Sequence, residues 1–134
     1  MAGVILDSSV IIAAERSGRT VRQILEQVRA SQGEIEIGLS VVTIAELVHG
    51  AYRAGTEARR TRRLDFIDRL SSDVPVHPLS LDIARLAGRI DAEQEAKGVQ
   101  LAFEDLLIGA TALHLDYGIR VDTPAEFLAG LTSR

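Results

Sequence analysis

The stretch Val4-Ile5-Leu6-Asp7-Ser8-Ser9-Val10-Ile11-Ile12 decides the fold. Val4 to Leu6 are aliphatic and show no helical period, so they predict a short strand buried on both faces. Asp7 ends that strand, and Ser8-Ser9 can cap a helix that follows. A strand with no polar face belongs inside a parallel sheet covered by helices on both sides. In such sheets chemistry collects at the carboxyl ends of the strands, where Asp7 stands. Taken alone, the stretch favours the simpler reading, in which Asp7 is only a helix cap.

Outward from this strand, segments of helical and strand period alternate along the chain. A helix follows with Val10, Ile11, Ala13 and Ala14 as its packing positions, and Ser17-Gly18 stops it. Thr20 can cap a second helix carrying Val21, Ile24, Leu25 and Val28. Ile35, Ile37 and Leu39 alternate with Glu34, Glu36 and Gly38, the period of a strand. A third helix is expected from about Val41 to Arg53, with Ile44, Leu47, Val48 and Ala51 on one face, and Gly55 separates it from a charged helix over Glu57 to Leu70. Val74-Pro75-Val76 reads as a brief strand that Pro75 confines to an edge. Ser80 can cap a helix carrying Ile83, Leu86, Ala87 and Ile90, closed by Gly98. Phe103 to about Leu115 is apolar on nearly every side and predicts a buried helix, in which Gly109, Ala110 and Ala112 permit close approach. Ile119 to Val121 is a last short strand. This order predicts a single domain over residues 1–134 of α/β class: a three-layer α/β/α sandwich with a central, mostly parallel sheet of about four strands.

Composition narrows the functions available. The chain has 134 residues, no Cys, no Trp and a formal net charge of −4. Without Cys there is no disulfide, thiolate metal site or Cys nucleophile. The few aromatics argue against base stacking as a binding mode, and the acidic balance argues against a purely electrostatic nucleic-acid binder. It leaves room for an enzyme whose acids share one pocket. No apolar run approaches a membrane span, and the start of the chain lacks the pattern of a signal peptide, so a cytoplasmic protein is expected. Lys97 is the sole lysine. Arginine suits bidentate phosphate contacts, although such a bias also follows from genome composition.

Three carboxylates interrupt apolar segments near their ends: Asp7, Glu46 and Asp105. Each has a local structural explanation. Asp7 can cap a helix, Thr43-x-x-Glu46 fits a capping box, and Asp105 favours the positive end of its helix dipole. Together they point elsewhere, because strand-to-helix junctions and helix starts in a parallel sheet share one edge. Carboxylates crowded there would raise one another's pKa unless a cation sat among them. Oxygen donors without Cys or a His cluster select Mg²⁺ or Mn²⁺ over Zn²⁺. His49, His77 and His114 share no spacing and read as structural or surface residues. Arg59, Arg60, Arg62 and Arg63 read as a solvated helix face paired with Glu57, Asp65 and Asp68, with a role in guiding RNA as the alternative.

With these residues in view, the chain resembles the PIN-domain family, in particular the VapC-type toxins of bacterial toxin–antitoxin pairs. The matching stretches are Leu6-Asp7-Ser8-Ser9, then Thr43-Ile44-Ala45-Glu46-Leu47 with Gly50, then Asp105-Leu106-Leu107-Ile108-Gly109-Ala110-Thr111-Ala112. The resemblance implies a Mg²⁺-dependent endoribonuclease acting on an RNA substrate, usually a homodimer, neutralised by a separate VapB-type antitoxin. It carries over Asp7, Glu46 and Asp105 as acidic-site residues, with Asp7 and Asp105 as direct metal ligands and Ser9 as the small hydroxyl residue supporting the site. The chain departs from the family pattern after the last strand, where it reads Val121-Asp122-Thr123-Pro124-Ala125-Glu126-Phe127. Anchored on Phe127, the usual fourth polar position falls on Thr123. Asp122 lies one residue early and is taken here as the fourth acidic residue, and Glu126 occupies the next acidic place. A PIN-like module that binds RNA or protein without cleaving is the alternative. A phosphoacceptor domain of receiver type would need a lysine on a late strand, and Lys97 sits elsewhere.

Overall fold

The computed structural model describes residues 3–120, and of residues 118–120 only the backbone. The chain runs β1 (Gly3–Leu6), α1 (Ser8–Arg16), α2 (Val21–Gln32), β2 (Glu36–Ser40), α3 (Val41–Tyr52), α4 (Glu57–Asp73), β3 (Val76–His77), α5 (Leu81–Ala96), α6 (Phe103–Leu115) and β4 (Gly118–Arg120). The four strands form one sheet in the order β3-β2-β1-β4, and every pairing is parallel. All four residues of β1 are buried, as expected of a strand without a polar face.

Alternation along β1 divides the core into layers. Val4 and Leu6 point to one side, where they meet Ile11, Ile24, Leu47 and Leu70 from α1 to α4. Ile5 points to the other side and packs on Ile108 and Ala112 of α6. Outside α6 lies α5, joined to it through Ile83, Ala87, Ile90, Leu106 and Ala110. The result is the expected three-layer α/β/α arrangement. Small residues let α6 approach the sheet, since Gly109, Ala110 and Ala112 are all buried. Its burial is not uniform, however: the first turn is open, and Phe103 is 66% exposed.

Several local expectations are corrected. Ala13 is exposed, so α1 packs through Ile11 and Ala14. The N-cap of α3 is Ser40, whose hydroxyl accepts from Val42 N–H at 3.1 Å. Thr43 therefore lies inside the first turn of the helix, fully buried, and forms no capping box with Glu46. The reason is that β2 runs directly into α3, so the last strand residue is the only one with the extended backbone a cap requires. Proline at 75 does confine β3 to two residues at the sheet edge. Strand β4 begins one residue before the expected Ile119.

The topology places the reaction edge. Successive crossovers carry the chain from β1 to β2 to β3, then back across the sheet to β4 beside β1. The connection reverses direction at the β1–β4 pair, and such a switch point leaves a crevice at the carboxyl ends of the strands. Leu6 is in register with Arg120, so both strands end at the same level, immediately before Asp7.

Candidate active site at the carboxyl edge of the sheet

Asp7 leaves β1 in extended conformation and caps α1. Its Oδ2 accepts from both the Ser9 backbone N–H at 3.3 Å and the Ser9 hydroxyl at 2.9 Å. The cap reading is thus correct, but it accounts for one oxygen. The residue is only 3% exposed, and its Oδ1 is buried without a partner among the described residues. A buried carboxylate oxygen without a partner costs free energy unless something outside the chain fills its place.

Glu46 lies in the second turn of α3, half-buried, and its Oε1 is likewise buried with no partner. Burial raises its pKa above the ordinary 4.5, and the charges of Asp7, Asp105 and Glu104 raise it further, while a hydrogen bond from the Ser8 hydroxyl opposes them. Asp105, in the first turn of α6, is raised above 3.8 by burial and then by Asp7 and Glu104. Among the described residues, no cation contributes to either group. The acids of α1, α3 and α6 therefore face one another across the carboxyl edge. Asp105 arrives there by a different route from the other two, because α6 follows a helix-to-helix connection from α5 rather than a strand.

Whether the site suits a divalent ion rests on its donors. They are hard carboxylate oxygens, and two of them are buried and unpartnered, which fits Mg²⁺ or Mn²⁺. Among the described residues, no three His, Asp or Glu side chains stand close enough to ligate one ion together. Asp7, Glu46 and Asp105 thus form an open cluster. An ion there would keep water between itself and part of the cluster, as Mg²⁺ commonly does. Asp122, Thr123, Glu126 and Phe127 lie outside the described residues.

Ser8 and Glu104 belong to the site although no sequence pattern singles them out. Each is adjacent to a residue that such a pattern does mark, and adjacency to Asp7 and Asp105 is the signal that could have found them. The arginines of α4 are corrected too. Arg63 pairs with Glu15 of α1 at 3.7 Å and donates to the Gly50 carbonyl at 3.2 Å, and Arg60 lies over the Tyr52 ring at 5.3 Å. Among the described residues, none of the α4 arginines pairs with Glu57, Asp65 or Asp68. Beside Glu46, a cavity of about 110 Å³ opens between α1, α3 and α4, lined by Ile11, Ile12, Leu47, Gly50, Phe66 and Ile67.

The PIN-domain family profile matches residues 4–119. Ribonuclease VapC8 of Mycobacterium tuberculosis is 37% identical over 111 residues, covering 81% of this chain and 88% of that protein. Ribonuclease VapC1 of Rickettsia felis is 28% identical over 117 residues, covering 87% and 82%. Among solved structures, VapBC-5 from M. tuberculosis, described as a member of the VapBC family of toxin–antitoxin systems, superposes with a TM-score of 0.68 at 26% identity, covering 93% of this chain and 90% of that one.

Proposed function

The chain belongs to the PIN-domain family, and from that premise we propose that it is a metal-dependent endoribonuclease, the toxin of a type II toxin–antitoxin pair. The observation that carries the reading is the pair of orphaned buried oxygens, Asp7 Oδ1 and Glu46 Oε1, in a cluster without a cation among the described residues. Names of similar proteins support the substrate class: two of them are ribonucleases.

In this reading Asp7 and Asp105 would hold Mg²⁺ or Mn²⁺, which supplies Lewis-acid polarisation of a phosphodiester and lowers the pKa of water. The chain's own residues do the rest. Ser9 holds Asp7 Oδ2 and leaves Oδ1 unpaired. The Ser8 hydroxyl faces the Glu46 carboxylate and favours its charged form. Oε1 of Glu46, raised in basicity by burial and by its acidic neighbours, accepts a proton from the attacking water, which is general-base catalysis. Asp122 is the proposed fourth acid.

The apolar cavity beside Glu46 supports the partner proposal. An amphipathic helix of a VapB-type antitoxin can bury its apolar face there, close enough to the acids to block them. A homodimer and a cytoplasmic location belong to the same reading. The open geometry of the acids favours one alternative, a PIN-like module that binds RNA or protein without cleaving it. Cleavage of total RNA with mapped ends decides: the protein should cut with Mg²⁺ and not with chelator, and Asp7→Asn should not cut at all. Absent cleavage would leave the binding module, and metal-independent cleavage would overturn the metal centre.

A further inference from the structure

A groove of about 400 Å³ lies between the end of α1 and the outer face of α4. Arg16, Arg19, Arg59, Arg62 and Arg63 line it, with Phe66 at its base. Its one carboxylate, Glu15, is already paired with Arg63. Arg19 donates to the neutral Gln27, and Arg16, Arg59 and Arg62 have no side-chain hydrogen-bond or ion-pair partner among the described residues. A chain of net charge −4 thus concentrates uncompensated positive charge in one concavity. The groove is continuous with the apolar cavity, sharing Glu15, Arg16, Arg63 and Phe66, and that cavity reaches Glu46.

We infer that this arginine groove holds the phosphate backbone of an RNA strand while one of its phosphodiesters lies at the acidic cluster, with Arg59 and Arg62 as positioning residues. The inference rests on the ribonuclease reading and assigns the substrate track to it. The acidic cluster repels a polyanion and has no cation among the described residues, whereas the groove's arginines attract one. Guanidinium forks match phosphate oxygens bidentately. Aromatics are few, so affinity along such a track is electrostatic rather than built on stacked bases. An acidic peptide would satisfy the same arginines and is the competing occupant in the titration.

The test is a binding titration that does not require cleavage. A fluorescein-labelled single-stranded RNA of mixed sequence is followed by anisotropy with Asp7→Asn protein in chelator, with and without Arg59→Gln and Arg62→Gln. The double substitution should weaken binding about tenfold at low salt. It should also flatten the slope of log affinity against log salt by about 1.4, because each phosphate neutralised on a single strand contributes about 0.7 to that slope. Thermal midpoints should not move, because neither arginine side chain has a partner to lose. Unchanged affinity and slope would overturn the inference. So would a glutamate-rich peptide of matched length that loses affinity while RNA does not, which would assign the groove to an acidic protein partner. The two readings fail separately: RNA bound through these arginines but never cut overturns the nuclease, and RNA cut with them dispensable overturns the track.

Discussion

Ser9 occupies Oδ2 of Asp7 twice over, through its backbone N–H and its hydroxyl, and leaves Oδ1 buried and bare. One side chain therefore serves a structural and a chemical role through different oxygens. Asparagine caps helices as well as aspartate does, whereas alanine does not. Asp7→Asn is expected to abolish cleavage with stability unchanged or slightly raised, as it also removes a charge that opposes Glu46 and Asp105. Asp7→Ala should abolish cleavage and cost about 0.5–2 kcal/mol through removal of the cap. Urea denaturation beside an RNA cleavage assay checks both, and an active Asp7→Asn protein would refute the chemical role.

The raised pKa values of Glu46 and Asp105 carry a pH dependence of known sign. The fold favours their protonated forms, so between the ordinary and raised values the native chain holds more protons than the unfolded one. Their contribution to stability is fully present below the ordinary values of 4.5 and 3.8 and is lost as pH rises through the raised ones. In chelator, the thermal midpoint should fall on going from mildly acidic to neutral pH, and Asp105→Asn should flatten that fall. Mg²⁺ at neutral pH should restore the midpoint by binding the native state. A midpoint insensitive to Mg²⁺ would count against metal binding.

Thr43 is fully buried in α3, and its Oγ1 has no hydrogen-bond partner. Replacing it by valine keeps the shape and removes an unsatisfied hydroxyl. Thr43→Val should stabilise the protein by about 1 kcal/mol, the lower end of the cost of an unpaired buried polar group. Reduced stability in urea titration would mean that the hydroxyl has a partner outside the chain.

Gly50 sits inside α3 without needing glycine's backbone freedom, and a Cβ there would meet no atom within 4 Å. The methyl would enter the apolar cavity beside Glu46, which Gly50 lines. Gly50→Ala should raise helix stability by about 1 kcal/mol while weakening capture of a co-expressed antitoxin. Calorimetry and co-purification measure the two effects. A stabilised variant that keeps its antitoxin fully would move the docking site elsewhere.

Gly38 presents the opposite situation. A Cβ at this position of β2 would come within 2.7 Å of His77 Nε2, and His77 meets Tyr117 edge to face. The Tyr117 hydroxyl in turn donates to Glu36, so the ring has little room to yield. Gly38→Ala should destabilise the domain by about 1–3 kcal/mol through overpacking, read by urea titration.

Amino-acid order by itself determined the elements whose signal is local. β1 was legible because an aliphatic run with no polar side can only be buried on both faces, and α6 because Phe103 to Leu115 is apolar over a helical length. The order of Asp7, Glu46 and Asp105 along such segments was enough to name them as candidates. Tertiary structure decided what each one touches. Ser40 rather than Thr43 caps α3 because β2 ends there. Arg63 leaves the charges of its own helix for Glu15 and for the Gly50 carbonyl of the preceding helix. The arginine groove exists only because the end of α1 meets α4, where Glu15 pairs with Arg63. Period and capping act within about one turn of helix, whereas these contacts depend on how helices are oriented on the sheet, and no local pattern encodes that.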